Sequence, residues 1–162
     1  MDTGVDEVHA RQKSCLPDLR KQYSCPRFRA SFCNPFEKDI IELGTISKDS
    51  ILDKFEKTPW ADILRQMSYV KEQEIYYSPS LEIENKDNNH GLAISAVGSP
   101  DNFEFYLFYK RPKKVKTFFG LREKTNKNFT TEKTGQTKQD VIDCLDALLK
   151  NDTEYLADKI GQ

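Results

Sequence analysis

Few residues in this 162-residue chain have the types and spacing that chemistry needs. His9, Cys15, Cys25 and Cys33 are of the kind that hold zinc, but their intervals contain no Cys-x2–4-Cys pair and no His-x3–5-His pair to form a chelating knuckle. A Cys–His nucleophilic pair would have to draw its members from an irregular N-terminal stretch and from His90, in a polar turn, and would still need a third group to orient the base. His90 is expected to be solvated there and to titrate freely. The carboxylate pairs Glu82/Glu84 and Asp140/Asp143 are close enough to act together, yet strand and helix surfaces carry such pairs without the raised pKa that acid catalysis requires. No Gly-rich phosphate loop, dinucleotide fingerprint or nucleophile elbow is present. No catalytic residue, metal ligand or cofactor site is therefore assigned, and the chain reads as a binding protein and not an enzyme.

Two sets of residues are candidates for binding. Lys110, Arg111, Lys113, Lys114, Lys116, Arg122, Lys124 and Lys127 place eight positive charges against the single acid Glu123. With Phe118 and Phe119 alongside, this resembles the groove of a polyanion binder, where cations track phosphates and aromatic faces stack bases. Neighbours in a strand point to opposite faces, so only one of the two phenylalanines can serve it. The competing reading is a Lys-rich edge strand that resists edge-to-edge pairing. The second set is Tyr106 and Phe108, on one face of a strand, with Asp140 and Asp143 on a helix surface; these suit a protein interface.

The elements that must position these residues follow from periodicity. Ser80 to Lys110 reads as three antiparallel strands joined at Asp87–Gly91 and Gly98–Asn102, where Asn, Asp, Gly and Pro favour tight turns. Leu81, Ile83, Leu92, Ile94, Phe103, Phe105, Leu107 and Tyr109 share one face; Ala93, Val97, Tyr106 and Phe108 share the other. Val115–Phe119 is expected to return as a fourth strand and Phe129–Lys133 to add a weak fifth. Helices are expected from Ser47 to about Lys57 and from a Thr58 cap onward, with Trp60, Ile63, Leu64 and Met67 as a core stripe. Thr137 and Asp140 form a capping-box variant that opens a helix with Val141, Cys144, Leu145 and Leu148 inward, and a short last helix carries Tyr155, Leu156 and Ile160. Glu37–Ile46 fits either a strand or a helix.

Residues 1–36 show no sustained period, hold three prolines and three of the four cysteines, and carry more basic than acidic side chains. They read as an irregular basic arm, with Phe28, Phe32 and Phe36 spaced to lie on the domain, as a short helix if ordered. Residues 37–162 read as a single α+β domain: N-terminal helices, an antiparallel meander of three to five strands and a C-terminal helix pair. A net charge of −1 excludes a generic polyanion binder, and no run is long and apolar enough for a membrane span. Four cysteines in a chain of this size without an apolar leader point to a reducing, cytoplasmic setting. The layout is similar to that of small binding proteins such as secretion chaperones and toxin-immunity proteins, a likeness of arrangement that does not fix function. The expectation is a protein-interaction module that binds a protein partner or itself through the second sheet face and the acidic C-terminal helix, with nucleic-acid or other polyanion binding through 110–127 as the alternative.

Overall fold

A computed structural model describes residues 27–117 and 122–161. The central alternation forms β3 (Ser80–Asn85), β4 (His90–Ser99) and β5 (Asn102–Thr117), paired antiparallel in the order the hairpins dictate. Gly98 closes the second hairpin at φ +128°, a region that costs glycine nothing, and a Cβ there would stand 2.7 Å from the Asn102 carbonyl oxygen. Two further strands precede these three. β1 (Phe28–Cys33) pairs with β3, and β2 (Ile41–Ile46) pairs with the other edge of β1. With β6 (Arg122–Gln136) the result is a six-stranded antiparallel sheet in the order β2-β1-β3-β4-β5-β6.

The four helices are α1 (Lys48–Lys57), α2 (Trp60–Met67), α3 (Lys138–Lys150) and α4 (Thr153–Ile160). All contribute to one core with Phe28, Ala30, Leu81, Ile83, Leu92, Ile94, Phe105, Leu107 and Tyr109, which the strand register places on a single sheet face. The fold is thus α+β, with a helix layer on one side of the sheet. Phe55, Trp60 and Phe105 meet at ring-centroid distances of 5.4–5.8 Å, the spacing at which tilted aromatic pairs attract beyond their burial. Trp60 Nε1 donates to the Phe55 carbonyl at 3.1 Å, so its polar edge is satisfied in the core. No helix among the described residues is long and apolar enough to cross a membrane.

Several expectations are corrected. Phe28–Cys33 is an internal strand, neither irregular nor helical: Phe28 and Ala30 are buried against Asn85 and Ile83, and alternation in so short a run is masked by Ser31 and Phe32 being half-buried. Residues 1–26, with His9, Cys15 and Cys25, lie outside the described residues. Within the ambiguous 37–46 segment Ile41–Ile46 forms β2 and residues 37–40 are not strand, and Tyr69–Tyr77 adds no strand but a short 3-10 turn at Glu72–Glu74. Thr58 does not cap α2. It closes α1, its hydroxyl donating to the Lys54 carbonyl, and Pro59 takes the cap position without a side-chain bond. Tyr155 is not inward-facing, being over a third exposed, whereas Leu156 and Ile160 are buried.

The separate fourth strand does not exist: β5 runs unbroken through Pro112 to Thr117. Proline fits because β4 has its last partner at Gly91↔Lys110 and the β5–β6 register shifts between Arg111 and Lys113, so no ladder hydrogen bond is asked of residue 112. β6 is correspondingly long, 15 residues where a short strand was expected. Its Gly135, at φ +70°, accommodates the irregular register near Phe105–Leu107.

Candidate docking face

The sheet face turned away from the helices carries the side chains of alternate residues in every strand. One row crosses all six: Glu42, Ser31, Glu82, Ala93, Phe108 and Glu132, each paired in register with the next. The neighbouring row holds Thr45, Arg29, Glu84, Gly91, Lys110 and Thr130. Tyr106 and Val97 extend the surface along β5 and β4, so Ala93, Val97, Tyr106 and Phe108, expected on a common second face, do share it, each half-buried.

The local sequence shapes this face. Gly91 and Ala93 leave the floor low between the β3 carboxylates and Phe108, and a concavity of about 340 Å³ opens there, bounded on the far side by Ile40 and Glu42. Gly91 is required where it stands, since a Cβ would lie 2.9 Å from the Ile83 carbonyl oxygen. Glu84 receives Lys86 and, at 3.4 Å, Lys110; Arg29 pairs with Glu42 at 2.9 Å. Burial pushes the Glu84 carboxyl upward, but hydrogen bonds and charge from Lys86 and Lys110 outweigh it and hold the group below its ordinary range. A carboxylate so held stays ionised and is no proton donor at neutral pH. Among the described residues Glu82, Glu104 and Glu132 form no ion pair, so the face is acidic apart from its paired groups.

The acidic helix does not join this surface. α3 lies on the opposite side of the sheet, and its carboxylates are engaged. Asp140 accepts from the Thr137 backbone N–H at 2.9 Å and hydroxyl at 2.6 Å and from Lys159 at 2.6 Å, and hydrogen bonds from Lys159 and Thr137 hold its pKa down to about 2. Asp143 accepts from Gln139 one turn earlier.

The basic residues divide between the faces. Lys110 belongs to the docking face. Arg111 is buried on the helix side, donating to the Thr131 hydroxyl at 2.8 Å with its guanidinium 4.5 Å from the Tyr109 ring centroid and 5.2 Å from that of Phe129. Lys113 Nζ also lies over the Phe129 ring, 4.3 Å from its centroid. Lys114 and Lys124 are exposed. Lys116 and Arg122 are paired strand residues at Glu123 and Thr117, and Phe118 lies outside the described residues.

His90 is not the free surface histidine that its turn suggested. Its Nδ1 sits 2.6 Å from Tyr109 Oη, and burial, with the Arg111 charge adding, lowers its pKa. Cys33 and Cys144 are buried free thiols, and the described residues contain no group of three His, Cys, Asp or Glu side chains arranged to hold a metal.

Sequence reasoning missed Arg29, Ser31, Glu42, Glu82, Glu84 and Glu132 as members of the face. The two β3 glutamates were readable, because hairpin pairing sets Glu82 beside Ala93 and so beside Phe108. The others come from β1, which showed no period, from β2, where strand and helix both fitted, and from β6, whose expected short run over Phe129–Lys133 did not reveal that Glu132 pairs with Phe108.

Comparison with known proteins returns no match: no family model, no curated protein and no solved structure is significantly similar to this chain. The class that the fold and site define is therefore structural: a six-stranded antiparallel sheet with helices on one face and an acidic, partly aromatic surface on the other.

Proposed function

We propose that this chain is a non-enzymatic protein-docking module whose helix-free sheet face takes a basic, extended segment of a partner, which is another protein or a second copy. The observation that carries this reading is the row Glu42–Ser31–Glu82–Ala93–Phe108–Glu132. Small residues let a backbone approach, Phe108 offers an apolar anchor of the type that dominates binding energy, and the surrounding carboxylates select cationic side chains.

The test is a set of synthetic peptides alternating Lys with aliphatic residues, and the same peptides with Glu in place of Lys, titrated into labelled protein and followed by NMR. Shifts confined to Ser31, Glu82, Ala93 and Phe108, seen with the Lys series alone and lost in Phe108→Ala/Glu82→Lys, are expected. Unchanged binding by that double variant, or a preference for the Glu series, would remove the face from consideration. Light scattering on the same samples separates a second copy from a foreign partner.

A further inference from the structure

The β5–β6 hairpin outruns the sheet. Beyond the Gly91–Lys110 pair β5 has no further partner on β4, so residues 111–117 and 122–129 continue as a two-stranded ribbon, reaching roughly 20 Å at the rise of extended chain. Charge is segregated onto it. Residues 111–127 hold seven Lys and Arg against Glu123, a net +6; since the whole chain is −1, everything else sums to −7. Lys113, Lys114, Lys124 and Lys127 are exposed, and none forms an ion pair among the described residues.

We propose that this ribbon is a nucleic-acid-binding arm that grips the phosphates of a duplex. Three features favour that ligand. Lys113 and Lys114, neighbours in β5, project to opposite faces of the ribbon, and Lys124 and Lys127 continue the charge along β6; a groove lined by phosphates suits such a spread, whereas a flat membrane surface needs the charges in one plane. A two-stranded ribbon is narrow enough for the major groove of B-form DNA, about 12 Å wide. Phe129, on the same stretch, has Arg111 and Lys113 over its ring; this steadies Lys113 and denies the ring to an unstacked base. The acidic docking face repels the same duplex from the body of the protein, which leaves the arm as the contact. The inference concerns a surface separate from the docking face and does not rest on it.

The experiment measures fluorescence anisotropy of labelled 20-base-pair duplex DNA, the matching single strand, and fluorescent vesicles containing phosphatidylserine, between 50 and 200 mM salt. Duplex binding is expected, with log K falling linearly in log salt; each of Lys113→Gln, Lys114→Gln, Lys124→Gln and Lys127→Gln should reduce the slope by about 0.9 if that side chain neutralises one phosphate. The quadruple variant should bind duplex at least tenfold more weakly while keeping the wild-type circular dichroism spectrum. Phe108→Ala/Glu82→Lys should bind duplex at least as well as wild type, so that failure of the docking face and failure of the arm are told apart. Absent duplex binding, preference for the single strand, binding to vesicles alone, or unchanged duplex affinity in the quadruple variant would each overturn the proposal.

Discussion

His90 Nδ1 and Tyr109 Oη share a hydrogen bond of 2.6 Å at the end of the sheet, with Tyr109 fully buried and the guanidinium of Arg111 lying 4.5 Å from its ring centroid. Burial and the neighbouring cation both favour the neutral imidazole, so the folded chain holds fewer protons here than the unfolded one below the ordinary value of 6.5. The stability this confers is complete above that value and is lost as pH falls through the lowered folded pKa. Urea unfolding of the wild type should therefore weaken between pH 7.5 and 5.5, with a shallower decline in His90→Gln. A ring titration by NMR placing His90 at 6.5 or above would refute the burial account.

Asp140 joins two helices. It completes the α3 capping box with Thr137 and takes Lys159 from α4. Asp140→Asn should lower stability by about 1 kcal/mol, the usual magnitude for a helix cap. Because the folded pKa is depressed to about 2 from 3.8, the carboxylate contributes fully above the higher figure and loses its effect as pH falls toward the lower. Acid unfolding curves of wild type and variant should accordingly converge only below pH 2; a gap that persists there would assign the loss to packing.

Adjacent residues of β5 should respond very differently to truncation. Leu107 is wholly buried and Phe108 points to the docking face. Leu107→Ala should cost about 2–5 kcal/mol through the cavity it leaves. Phe108→Ala should cost roughly 1 kcal/mol or less, as at surface sites. Chemical denaturation of both variants checks the assignment of faces, and equal losses would show that Phe108 is covered.

Cys144 is buried against α4, and desolvation raises its thiol to about 11. Thiolate is the reactive species, so alkylation of the folded protein at pH 8 should leave Cys144 unmodified until the chain opens. Peptide mapping after iodoacetamide treatment, with and without urea, reads this directly. Rapid native labelling at Cys144 would mean that the α3–α4 pair opens locally.

The legible parts of this protein are those specified by contacts close in sequence. Alternation over Leu81–Tyr109 and two turn-forming runs fix the central meander and its two faces, because period 2 leaves a residue only one side to occupy. Ser47, Thr137 and Asp152 announce helix starts because a cap bonds to the backbone two or three residues away. Thr58 failed by the same logic: its hydroxyl had two helix ends within reach, and local chemistry does not choose between them.

What the tertiary structure decided lies at long range. β1 is a strand because Ala30 finds Ile83 more than fifty residues away, and no pattern within six residues announces that partner. Pro112 reads as a break, yet it stands where β4 has ended and the β6 register slips, a vacancy created by other strands. The basic run became a projecting ribbon for the same reason: β5 and β6 are longer than the strands that should have covered them. The sequence by itself determined which residues share a face and where most helices begin, since both follow from backbone periodicity and nearby hydrogen bonds. Only the fold determined that Glu42, Glu82 and Glu132 stand in one row with Phe108, because pairing between distant strands is set by the shared core beneath them.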